Sequence, residues 1–125
     1  MPSKVLICDN EEVLRALVRA ALDGSPYEIV EARDGDESVE LARRLEPDLI
    51  VLDMMMPGRN GVEVLEELRR DPRLRETPVV MLTARAQAAD REAASRAGTD
   101  YFLAKPFSPK ELASVVEDLL DGSRH

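Results

Sequence analysis

The sequence predicts an α/β fold, a parallel sheet with helices packed on both of its faces. Three observations lead there. Short, continuous runs of Val, Ile and Leu recur along the chain, segments with helical spacing separate them, and the alternation repeats five times. Strands buried on both faces lose the polar alternation of half-exposed ones, and right-handed crossovers between parallel strands distribute the helices over both faces.

The buried strands are read at Val5–Cys8, Leu49–Leu52, Val79–Leu82 and Phe102–Ala104. Tyr27–Ala32 mixes Ile29 with Glu28 and is expected at an edge. Leu14, Leu17, Val18 and Ala21 form the apolar face of a first helix, with Gly24 as its stop. Leu41, Ala42 and Leu45 form a second face before Pro47, and Val62, Leu65 and Leu68 a third before Asp71–Pro72. The Ala-rich segment Ala86–Ala97 has high helix propensity but little apolar bulk, which predicts a weakly anchored fourth helix. Leu112, Val115, Val116 and Leu119 mark a fifth, opened by the capping box Ser108–Pro109–Lys110–Glu111.

Bulk properties bound the function. A chain of 125 residues with 44% hydrophobic side chains supports one domain with a proper core. That domain is expected over residues 1–121, with 122–125 a tail or the start of a linker; a stand-alone protein and a piece of a longer one both remain open. A net charge of -8 argues against direct nucleic-acid binding, although the acidity also serves solubility. Cys8 lies inside an apolar run and reads as a buried hydrophobe in a reducing compartment. No apolar stretch is long enough to span a bilayer and no signal-peptide pattern opens the chain, so a cytoplasmic location is expected. The single histidine is terminal His125, which rules out histidine-based catalysis or a histidine metal cluster.

In parallel sheets, ligands bind at the carboxyl ends of the strands. There the chain places Asp9–Asn10 after the first strand, Asp53 after the third, Thr83–Ala84 after the fourth and Lys105–Pro106 after the fifth. Carboxylates with a backbone carbonyl form a hard oxygen set suited to Mg²⁺, and a lysine and a threonine beside them are suited to phosphate oxygens. Taken singly, a strand-end Asp is often a helix cap and a Lys before Pro a solvated turn. Their joint occurrence at one edge is what points to a site.

These residues carry a resemblance over essentially the whole length. Asp9 after a strand, Asp53-Met54-Met55-Met56-Pro57 with Gly61, Thr83-Ala84 and Lys105-Pro106-Phe107 resemble the receiver domain of two-component response regulators. The resemblance implies a doubly wound, five-stranded, flavodoxin-like sheet and a phosphorylation switch rather than an enzyme acting on separate substrates. It implies that Asp53 accepts a phosphoryl group from a histidine kinase or phosphotransfer partner, with Mg²⁺ held by Asp9, Asp53 and the backbone carbonyl of Met55. Thr83 and Lys105 would meet the phosphoryl oxygens, Lys105–Pro106 is a candidate cis peptide, and Phe102 matches an aromatic switch position. Simpler roles stand beside these: Met54 and Met56 as core filler, Phe102 as a core aromatic, Gly61 as a helix start close to the sheet.

Asn10 departs from the family pattern, which has a second acid there that usually touches the metal. An amide coordinates through its oxygen but brings no charge, which predicts a metal site that is present and weakened. Asn10 is also a preferred cap for the first helix, and Glu11 is the nearest substitute acid. A phosphorylation-independent interaction module is therefore the alternative to a working switch.

The resemblance further implies that phosphorylation reshapes the face made by the fourth helix, fifth strand and fifth helix, which would meet an effector domain or target protein. A winged-helix branch of the family forms homodimers there through charged pairs. Arg91, Asp100 and Glu111 match that set, whereas Tyr101 and Val115 stand where charges are expected. Those two become candidates for another partner surface, or Val115 only widens the buried stripe of the last helix. Rival classes fit less well. A phosphatase-like hydrolase would want an acid two residues after Asp53, where Met55 stands, and a flavodoxin-like cofactor binder would want a phosphate loop where Asn10–Glu11–Glu12 lie.

Overall fold

The computed structural model describes residues 3–84, 92 and 95–121. Strands β1 (Ser3–Cys8), β2 (Tyr27–Ala32), β3 (Leu49–Asp53), β4 (Val79–Ala84) and β5 (Tyr101–Lys105) form one parallel sheet in the order β2-β1-β3-β4-β5. β2 is an edge strand, as its mixed pattern predicts. Several strands run one or two residues beyond their apolar runs, because backbone pairing continues past the last apolar side chain: Asp53 still pairs with Leu82, and Ala84 with Lys105.

Two cores sandwich the sheet. On one side α2 (Gly35–Leu45) and α3 (Gly61–Arg70) pack Val39, Leu41, Ala42, Val64, Leu65 and Leu68 onto Leu6, Ile50, Leu52 and Met81. On the other, α1 (Glu12–Ala21) and the C-terminal helix (Pro109–Asp121) pack Val18, Leu22, Leu112, Val115 and Val116 onto Val5, Ile7, Val51 and Leu82. All of β3 is buried, so its continuous apolar run reports its central position. Burying one Leu or Ile of this kind contributes about 1.5–3 kcal/mol.

The helix boundaries have local causes. Asp34 caps α2 by accepting Glu37 N–H at 2.8 Å, and α2 ends with Glu46 in the left-handed region at φ 46°. Asn60 and Glu63 form a reciprocal capping box at the start of α3, at 2.9 and 3.0 Å. Ser108 Oγ accepts Glu111 N–H at 3.3 Å, with Pro109 in the first turn as its fixed φ favours. Gly61 starts α3 directly against the sheet: a Cβ there would lie 2.5 Å from the Asp53 carbonyl oxygen.

Four expectations are corrected. The inward residues of α1 are Arg15 and Val18, whereas Leu17 is 51% exposed, because Arg15 finds buried partners that make its inward position tolerable. The helix ends at Ala21 with Leu22 as its C-cap, and Gly24, at φ 87°, belongs to the turn beyond it. Val115 is buried in the core with Leu112 and Val116 and offers no partner surface. Val64, outside the expected stripe of α3, is fully buried while Val62 is only half-buried. Of the Ala86–Ala97 segment, only residues 92 and 95–97 are described, and they are helical. Arg91 and residues 122–125 lie outside the described residues.

Candidate functional site

The order β2-β1-β3-β4-β5 sets the carboxyl ends of β1, β3, β4 and β5 side by side. Asp9 leaves β1 fully buried, Asp53 ends β3 at 2% exposure, Thr83 lies buried in β4, and Lys105 ends β5. Lys105 Nζ stands 2.8 Å from Asp53 Oδ1 and 3.5 Å from Asp9 Oδ2, so one ammonium bridges both carboxylates. The Lys105–Pro106 peptide is cis. Met55 N–H also donates to Asp53, and the Met55 side chain is half exposed at the rim, while Met54 and Met56 fill the core.

Burial pushes the Asp53 carboxyl above its usual range, and Lys105 pulls it the other way. Asp9 is also raised, first by burial, with the hydrogen bond from Glu11 opposing and the charge of Asp53 adding to the rise. Removing either carboxylate's cation would leave negative charge buried without compensation.

Asp9 is held on three sides. Its N–H donates to Ala32 O at 3.1 Å, its carbonyl accepts Arg15 Nη1 at 2.8 Å, and its Oδ1 accepts Glu11 N–H at 2.9 Å. Oδ2 is buried and has no hydrogen-bond partner among the described residues. Asn10 is exposed and does not cap α1, whose N-cap is Glu11 and which has no side-chain cap.

Thr83 Oγ1 lies 3.6 Å from the Met54 sulfur, a weak acceptor. Phe102 is half-buried and packs against the core on the α2–α3 side. Asp100 is committed within the chain: it accepts Val79 N–H at 2.8 Å and pairs with Arg69 at 3.1 Å. Arg15 and Glu31, which pair at 2.9 Å behind Asp9, were not singled out from the sequence. The available signal was a charged residue three positions before Val18, on the inward face of α1.

Among the described residues, no group of three or more His, Cys, Asp or Glu side chains could hold a metal ion. The site offers two carboxylates, and further ligands must be neutral oxygens. The buried Oδ2 of Asp9 has no hydrogen bond among the described residues, only the Lys105 ammonium at 3.5 Å, and with Asp53 it gives a hard-oxygen donor set compatible with Mg²⁺.

The chain matches the response regulator receiver domain family over residues 5–117. It belongs to that family. The receiver is 42% identical to the transcriptional regulatory protein ResD of Bacillus subtilis over 94% of its length, and 38% identical to the phosphate regulon transcriptional regulatory protein PhoB of Escherichia coli over 96%. It spans about half the length of these curated relatives, 48% and 52%. A putative response regulator from Chloroflexus aurantiacus superposes with a TM-score of 0.91 at 30% identity, covering 97% of this chain and 99% of that one. The receiver domain of the Pseudomonas aeruginosa sensor histidine kinase PA1611, solved with magnesium coordinated in its active-site cleft, gives 0.88 at 29% identity, covering 97% and 99%. Among the described residues, no helix of the receiver is long and apolar enough to cross a membrane.

Proposed function

We propose that this receiver is a phosphorylation switch whose acceptor is Asp53, and that its phosphodonor is a histidine kinase or phosphotransfer protein. The observation that carries the reading is the bridge from Lys105 to two buried carboxylates at the ends of adjacent strands. An Asp53 oxygen attacks phosphorus, the bond from phosphorus to the donor nitrogen breaks, and its electron pair stays on the imidazole. Lys105 holds Asp53 beforehand and pairs with a phosphoryl oxygen afterwards; the Thr83 hydroxyl exchanges the Met54 sulfur for another phosphoryl oxygen. No turnover of a separate substrate is proposed beyond hydrolysis of the aspartyl phosphate itself.

Asp9 and Asp53, with the Met55 carbonyl and the Asn10 amide, would hold Mg²⁺. Mg²⁺ held by these residues would supply positive charge that offsets the carboxylates and the incoming phosphoryl group. Because Asp53 lies at the floor of the site, a protein donor must cover the rim, where Val13 and Leu17 of α1 and Met55 are exposed apolar residues. Beside them an apolar cleft of about 100 Å³ runs between Leu14, Leu17, Pro106, Phe107 and Pro109. An effector domain or target would read the face to which β5 and the C-terminal helix contribute. A homodimer using the charged set on that face would compete with the Arg69–Asp100 pair.

The test is intact-mass spectrometry after incubation with acetyl phosphate, with and without Mg²⁺, on the wild type and Asp53→Asn. A Mg²⁺-dependent phosphoryl adduct absent from the variant supports the switch. A wild type with no adduct at high Mg²⁺ would leave the second reading, a phosphorylation-independent interaction module, for which the uncharged Asn10 is the supporting observation.

A further inference from the structure

Three of the four polar groups of Asp9 are hydrogen-bonded within the chain, and Oδ2 has only the Lys105 ammonium at 3.5 Å, with no hydrogen bond among the described residues. Two of those partners, Ala32 O and Glu11 N–H, are backbone groups that any residue at positions 32 and 11 other than a proline at 11 would offer. The third comes from a side chain. Arg15 Nη1 reaches the Asp9 carbonyl at 2.8 Å in a buried bond, and Arg15 itself is only 9% exposed.

Arg15 is in turn held from behind. Its Nε donates to Glu31 Oε1 at 2.9 Å, and the other oxygen of Glu31 accepts Arg19 Nε and Nη2 at 2.9 and 2.7 Å. Glu31 stands on β2 opposite Ile7, and its neighbour Ala32, opposite Cys8, accepts the Asp9 N–H. The guanidinium therefore spans β1 and β2 with a fixed fork, which a single ammonium cannot reproduce. The two arginines hold Glu31 below the usual carboxylate range, Arg19 contributing most, which keeps the support charged.

We propose that Arg15 is a positioning residue for the metal site: by clamping the Asp9 carbonyl, it fixes the turn that aims Asp9 Oδ2 and presents Asn10. The proposal rests on Asp9 and its neighbours holding Mg²⁺. It makes a prediction opposite in sign to simple electrostatics. A cation beside a cation site repels the ion, so removing Arg15 should tighten binding if charge alone mattered. If Arg15 positions Asp9, removing it loosens binding.

The experiment is calorimetric titration of the full chain with Mg²⁺, on wild type, Arg15→Met, Arg15→Lys and, as control, Arg19→Met, which touches Glu31 but not Asp9. Folding of each is checked by circular dichroism. Arg15→Met is expected to weaken Mg²⁺ binding about tenfold, the usual cost of losing an outer partner of a metal ligand. Arg15→Lys, which keeps charge and stem but not the fork, should weaken it as well, and Arg19→Met should leave it within about twofold of wild type, since an outermost partner matters less. Binding by folded Arg15→Lys or Arg15→Met as tight as wild type, or tighter, overturns the proposal. A wild type that does not bind Mg²⁺ overturns the metal site itself, a failure visible before any variant is compared.

Discussion

Gly61 approaches the end of β3 so closely that a methyl group in its place would lie 2.5 Å from the Asp53 carbonyl oxygen and 2.8 Å from Met54 Cα. Its N–H closes the approach by donating to Met54 O at 2.8 Å. Both atoms met are backbone, so they cannot swing aside. Gly61→Ala should therefore displace α3 from the acceptor strand, costing about 1–3 kcal/mol by urea denaturation. The variant should also take up phosphoryl from acetyl phosphate more slowly, because the displaced peptide is that of Asp53.

Asn10→Asp tests the weakened site directly. An added carboxylate supplies the missing charge, so Mg²⁺ should bind more tightly. The readout is thermal: ligand binding raises Tm according to its concentration relative to Kd, and the Mg²⁺-induced rise should be larger in the variant than in wild type. In metal-free buffer the variant should melt lower than wild type, because a third acid joins Asp9 and Asp53. An unchanged Mg²⁺ response would show that position 10 does not contribute to the site.

The Glu31 pair gives a pH signature. Arg19 and Arg15 depress the Glu31 carboxyl, so its folded pKa lies below its unfolded value. A depressed carboxyl stabilises the fold above the unfolded pKa, and that stability is lost as pH falls through the folded one. Glu31→Gln should accordingly be less stable than wild type near neutral pH. The gap between their urea midpoints should close as the pH drops through and below about 4.3, the ordinary glutamate value.

Cys8 provides an internal reporter of opening. Burial pushes its thiol up to about 12, and it sits in the core on the α2–α3 side at 1% exposure. A thiol so protonated and enclosed should not react with a disulfide reagent at pH 8 in the folded chain. It should react fully in denaturant, and partial reaction of the native protein would reveal local opening of β1.

The fold was legible because its strands are buried on both faces, which stamps them as continuous apolar runs, and because Asp9, Asp53, Thr83 and Lys105 fall just where those runs stop. The misplacement in α1 has a specific cause. A residue's side-chain type predicts its place only when no specific partner overrides it. Arg15 reads as surface but is drawn inward by Asp9 and Glu31, which turns Leu17 outward. Asn10 reads as a cap, yet α1 starts one residue later, with Glu11 as N-cap and no side-chain cap. Pairwise partners distant in the chain leave no periodic trace.

Alternation along β4 and β5 has a directional consequence. Val80 and Leu82 face the core shared by α1 and the C-terminal helix, whereas Met81 belongs to the core under α2 and α3, as does the packing of Phe102. Thr83 has the same parity as Met81, and Met81 is paired with Phe102 across the ladder. The Thr83 hydroxyl, Met54 and Phe102 therefore lie on one side of the sheet, opposite the layer of α1 and the C-terminal helix. If phosphorylation draws the Thr83 hydroxyl towards the acceptor, a reporter group beside Phe102 should record the change more strongly than one on α1.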